Sequence, residues 1–236
     1  MSADFDLSKL DDIPDVVPAA GRDAAPPPVA PRASPRIAGP SRAELRGRRW
    51  IVLGVALAWL AGHLGVLAIR ADFAKLGALY VLLQVALPAV LGAVSLGVAL
   101  SPGRDGLGVG VGLARAVALA SVAGMTLLTA AMPLPFPYVP PPGLTFGQWV
   151  IICGDIIAVM AAVPLVLAGV VLRRSFVAAS MERSAAVGAA CALAAVTTTH
   201  LHCENIQVGH MLLGHMVPAA AITVLAALVL RSVTRA

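Results

Sequence analysis

Residues 76–100 read LGALYVLLQVALPAVLGAVSLGVAL, without one charged side chain. A helix rising 1.5 Å per residue needs about 20 residues to cross the roughly 30 Å hydrocarbon core of a bilayer. This stretch is therefore read as a transmembrane helix, with Pro88 inside it. Five more apolar stretches flank it: Trp50–Ile69, about Val111–Met132, about Gln148–Leu172 with Pro164 inside, Ser184–Leu201 and Val208–Leu230. The expected fold is all-α, a six-helix transmembrane bundle over residues 42–236.

The composition agrees. The chain has 236 residues, 59% of them hydrophobic and 12% charged, with a mean hydropathy of +0.89. A soluble domain carries about twice that charge, so an ordinary soluble enzyme and a disordered protein are both excluded. Aromatic residues make up only 4%, too few for the stacking platforms of nucleic-acid binders, and no direct nucleic-acid contact is expected. Three cysteines exclude a disulfide framework.

Residues 1–41 form a separate unit in composition. Asp4, Asp6, Asp11, Asp12 and Asp15 make the start acidic, and Pro26, Pro27, Pro28, Pro31, Pro35 and Pro40 follow. Such a stretch cannot bury enough to offset its ordering entropy, so a disordered tail is expected. The acidic start argues against a cleaved signal peptide. Ser41 and Glu44 fit an S-x-x-E capping box, which places the start of the first helix near Arg42. Gly54, Ala58 and Gly62 recur every four residues and read as a close-packing stripe.

Arginine placement sets the expected orientation. With the amino terminus inside, the cytoplasmic loops hold Arg104, Arg115, Arg173, Arg174 and Arg183, and Arg42 to Arg49, Arg231 and Arg235 lie in cytoplasmic tails. Only Arg70 and Lys75 remain outside. Both termini are thus expected in the cytoplasm.

Ionisable residues inside a span are costly and point to function. His63, Gln84, Cys153, Asp155, His200, His202, Cys203, His210 and His215 all fall in the outer half of the expected bundle. Cys191 lies about 18 Å deeper than Cys203 along its helix and reads as an apolar filler. His200 and Cys203, three apart, share a helix face. Cys153 and Asp155, two apart, point to opposite faces. His210 and His215, five apart, lie about 140° from each other on an α-helix, so one site using both looks strained. The expected metal site combines His200 or His202, Cys203 and one of His210 or His215. Imidazole and thiolate together suit Zn or Cu. Cys153 and Cys203 are also a candidate redox pair. No phosphate-binding loop, dinucleotide fingerprint, H-E-x-x-H or G-x-S-x-G is present, and no enzymatic activity is expected.

Several of these features resemble the NrsF-type polytopic anti-sigma factors of the bacterial inner membrane. A cytoplasmic tail precedes six spans. Trp149 and Cys153 open the fourth span, Pro164 follows, and Arg173-Arg174 close it. Leu201-His202-Cys203 ends the fifth span just before a histidine-bearing sixth. The chain departs from the family in having Glu204 where a proline is common, and His210 and His215 in place of aromatic residues. The resemblance implies that the tail sequesters an extracytoplasmic-function sigma factor. Asp4, Phe5, Asp6, Leu7, Leu10, Asp11, Asp12 and Ile13 would form the binding motif, with the apolar residues as anchors and the aspartates facing a basic surface. A periplasmic metal or redox signal at the His/Cys layer would release the partner. The alternatives are a small metal-ion transporter, against which the apolar inner halves of the spans argue, and a haem-binding membrane subunit with histidine axial ligands.

Overall fold

A computed structural model of the chain describes residues 42–101, 110–133, 142–173 and 181–235. Six long helices run through them: α1 (Arg42–Leu67), α2 (Ala78–Leu100), α3 (Val111–Ala131), α4 (Phe146–Arg173), α5 (Met181–His202) and α6 (208–235). A short 3₁₀ turn, Phe73–Lys75, lies between α1 and α2, and the described residues contain no strand. Helices α2 to α6 each contain a stretch long and apolar enough to cross a membrane, whereas the apolar stretch of α1 is the shorter Leu53–Leu67. The molecule is a multi-pass helical membrane protein. The acidic tail motif, the proline-rich linker, Arg104, Arg174 and residues 134–141 lie outside the described residues.

Helix α5 is the axis of the bundle. Of its spanning window 78% is buried, against 28% in α2, α3 and α4. Lipid is as apolar as leucine, so packing rather than hydrophobic transfer must hold helices together there, and small side chains permit it. Helix α5 is built mainly from small residues (Ala, Gly, Ser, Thr and Cys), with Gly188 at its tightest crossing. A Cβ added there would lie 2.6 Å from the Ala226 Cβ and 2.9 Å from the Thr223 Cα, both on α6. Thr197, Thr198 and Thr199 donate their hydroxyls to the carbonyls four residues back, at 2.9, 3.0 and 2.9 Å, which satisfies them within the helix.

Three prolines shape the spans. A proline has no N–H for the carbonyl four residues earlier and its ring crowds that carbonyl. Pro88 withholds the bond from Gln84, Pro164 from Met160 and Pro218 from Gly214. Two of these positions sit in π turns, Leu82–Ala86 in α2 and Met211–Met216 in α6. Two of the carbonyls accept from other helices. Trp59 Nε1 of α1 donates to the Met160 carbonyl at 3.1 Å, and His200 Nδ1 of α5 donates to the Gln84 carbonyl.

Helix α1 is described from Arg42, and Ser41 of the S-x-x-E pattern lies outside the described residues. Helix α4 begins two residues earlier than expected. Thr145 and Gln148 form a capping box: Thr145 N donates to Gln148 Oε1 at 2.8 Å, and Gln148 N to Thr145 Oγ1 at 3.3 Å. The Gly54, Ala58 and Gly62 stripe is a correction. All three are exposed, and a Cβ added at either glycine meets nothing within 4 Å. Trp59 is bound to α4 through a different face of α1, and the small-residue stripe packs against no other helix among the described residues.

Candidate functional site

Cys153 lies two turns into α4, and Cys203 follows directly on the last turn of α5, its N–H donating to the Thr199 carbonyl at 2.7 Å. His210 precedes the π turn of α6 and His215 lies within it. One ligand atom from each of the four residues lies within 4.8 Å of all the others, and all four residues are buried. Cys153 Sγ is 3.5 Å from Cys203 Sγ, which is 3.3 Å from His210 Nε2. The 140° separation expected for His210 and His215 does not hold, because a π turn bonds residues five apart and stacks them. Their ring centroids are 5.0 Å apart. Gly214 makes room, since a Cβ there would lie 3.1 Å from His210 Cε1.

The cluster is rich in polar atoms without partners. Both ring nitrogens of His215, Nδ1 of His210, Nε2 of His200 and Nε1 of Trp149 are buried with no hydrogen-bond partner. Each such group costs about 1–3 kcal/mol away from water. Two imidazoles and two thiols are the donor set of tetrahedral Zn sites and suit Cu(I) as well. Bond lengths of about 2.0 Å to nitrogen and 2.3 Å to sulfur put neighbouring donors roughly 3.3–3.8 Å apart. The 3.3 and 3.5 Å separations at Cys203 fall in that range, and the widest pair needs a small contraction. The residues fit a metal of this class. A cleft of about 340 Å³ reaches Cys153 and Cys203 from the surface, past Ala68, Arg70, Trp149 and His202.

Arg70 holds the loop that carries Cys203. Its NH1 donates to the Cys203 carbonyl at 2.6 Å and its NH2 to the Glu204 carbonyl at 3.1 Å. Its backbone N–H donates to the Leu201 carbonyl at 2.9 Å. The guanidinium also meets both carboxylate oxygens of Asp72, at 2.5 and 2.7 Å. These bonds take up carbonyls that the end of α5 leaves open. The hydrogen bond from Arg70 holds the Asp72 carboxyl below its ordinary range.

The other expected ligands stand outside the group of four. His200 is buried and turned toward α2, with its ring 4.8 Å from that of His215. His202 is half-buried and donates from Nδ1 to the Ala68 carbonyl at 3.2 Å. Ala68 itself has φ +62°, a conformation that favours glycine at a helix end. His63 is engaged within α1, donating to the Trp59 carbonyl at 3.0 Å. Asp155 is exposed while Cys153 is buried, so the two do point apart. Cys191 lies in the apolar core. At the opposite end of the bundle Arg115 pairs with Glu182 at 2.7 Å, and Arg183 donates to the Ser101 carbonyl at 3.0 Å. The sequence reading missed Arg70 as a loop clamp and the joint use of His210 and His215. Pro218, four residues after Gly214, is the signal that marks the second.

Fold and site together define a multi-pass helical membrane protein with a buried Cys₂His₂ cluster near one end of the bundle. Comparison with family models, with curated proteins and with solved structures finds no match for this chain.

Proposed function

We propose that the chain is a membrane-bound anti-sigma factor of the bacterial inner membrane, whose Cys153, Cys203, His210 and His215 form its sensory centre. In this reading α1 completes six spans, both termini are cytoplasmic, and the cluster lies beneath the periplasmic face. The tail, through Asp4, Phe5, Asp6, Leu7, Leu10, Asp11, Asp12 and Ile13, holds an extracytoplasmic-function sigma factor. The signal is a Zn or Cu ion. The observation that carries the sensory role is the set of four buried donors converging within 4.8 Å. The tail's role follows from the resemblance of the spans and from the acidic-apolar sequence. Moving a switch from 1:99 to 99:1 takes about 5.5 kcal/mol of differential binding, within the range of structural metal sites.

The 3.5 Å approach of Cys153 and Cys203 supports a second signal at the same place. Two thiols and one hydroperoxide give one disulfide, water and the corresponding alcohol. Sulfur loses two electrons and two protons, and the peroxide O–O bond accepts them. The two sulfurs need close by only about 1.5 Å to reach bonding distance. Metal and disulfide would exclude each other.

Two experiments test the reading. Purified protein titrated with Co(II) should bind one equivalent, give a thiolate-to-metal charge-transfer band, and lose the band on adding Zn(II). The Cys203→Ser variant should show none. Deleting residues 2–40 in cells should release sigma-dependent transcription without any signal. A deletion strain with unchanged transcription removes the anti-sigma assignment, and wild-type protein that ignores both metals and peroxide removes the sensory centre.

A further inference from the structure

His200 is not one of the four converging donors, yet it is the least easily explained side chain beside the cluster. It is 3% exposed and sits in the last turn of α5. Its Nδ1 faces the Gln84 carbonyl, so that nitrogen carries the proton. In the neutral ring Nε2 then holds only a lone pair. That lone pair is buried and has no partner. The His215 ring lies beside it, 4.8 Å away between centroids, with no hydrogen-bond partner on either nitrogen. One His215 nitrogen belongs to the converging donors of the cluster. A metal-bound imidazole ordinarily donates its remaining N–H to an outer acceptor, which fixes its tautomer and plane. His200 Nε2 is an unpartnered acceptor on the neighbouring ring.

The far end of this chain is also specific. The Gln84 carbonyl is available because Pro88 has no N–H to give it. Gln84 itself is 2% exposed and ties α2 to α3 and its end, with Thr129 Oγ1 donating to its Oε1 at 3.3 Å and its Nε2 donating to Met132 Sδ at 3.3 Å.

Resting on the metal reading above, we propose that His200 is a positioning residue. It accepts a hydrogen bond from metal-bound His215 and donates one to the π turn of α2. Loading of the cluster is thereby registered in α2, a helix that supplies no ligand. The π turn is suited to this, since its bonds are already displaced from the α pattern.

The test uses the full-length protein in detergent with Co(II) and Zn(II) as probes. In His200→Ala the charge-transfer band should persist, because both sulfurs remain, while metal affinity falls about 10–100-fold. Amide exchange just after the π turn of α2 should slow on metal loading in the wild type and stay unchanged in this variant. His200→Gln can place an amide oxygen near the old Nε2 but cannot also reach the Gln84 carbonyl. It should recover part of the affinity and none of the exchange response. Wild-type affinity in His200→Ala overturns the proposal. So does a loss that His200→Gln fails to reduce, which marks a packing role alone. Wild-type protein that binds neither ion overturns the metal centre itself and this relay with it.

Discussion

Arg70 and His215 are both buried and both meet Cys203, the first at its carbonyl and the second in the group of donors around its thiol. The guanidinium donates to two carbonyls and both oxygens of a carboxylate. The imidazole has no hydrogen-bond partner on either nitrogen. A buried polar group that is fully paired holds structure together, whereas one left unpaired costs stability and is retained for what it can bind. Arg70 is thus the fixed side of the site, and His215 is the candidate ligand that the fixed side keeps in place.

Removing the fixed side should do the most damage. Arg70→Met strands the Cys203 and Glu204 carbonyls and is expected to lower stability by about 3 kcal/mol. Thermal unfolding in detergent should show it, together with faster maleimide labelling of Cys203. Metal addition comes next: Zn(II) at 100 times its Kd should add about 2.7 kcal/mol to the wild type and nothing to Cys153→Ser. Removing the imidazole gives the sharpest contrast. His215→Leu should stabilise the metal-free protein by about 1 kcal/mol, because two unpaired nitrogens disappear, and should abolish the metal-dependent rise in Tm. A destabilised His215→Leu would break the distinction between the two sides. The smallest effect is the acid response. Asp72 is held below its ordinary pKa in the folded protein. Its contribution is therefore complete above about pH 4 and is lost as pH falls through the folded-state value. Asp72→Asn should flatten that part of the stability–pH curve, by less than about 1 kcal/mol because the carboxylate is partly exposed.

Much of this architecture was readable from residue order. Apolar runs located the five helices long enough to cross a membrane, and two-residue spacing put Cys153 and Asp155 on different faces. Two kinds of feature were not readable. Regular α geometry turned His210 away from His215, and the structure reverses this because the turn between them is π. The stripe of Gly54, Ala58 and Gly62 had the right spacing for packing, but spacing alone does not say which face meets a neighbour, and Trp59 determines that through the Met160 carbonyl. Arg70 was visible only as a charge, because its carbonyl partners lie more than 130 residues away. The prolines held unused information: Pro88, Pro164 and Pro218 each mark the carbonyl four residues earlier.

The π turn in α6 is an ordinary helix carrying one supernumerary residue. Take that residue out, and the two histidines become an H-x₃-H pair on one face of an uninterrupted α-helix, with little change of phase on either side. Chains that present the same pair of imidazoles can therefore differ in length by one position inside this span. A search for other such sites that insists on a single spacing would pass over those with the other.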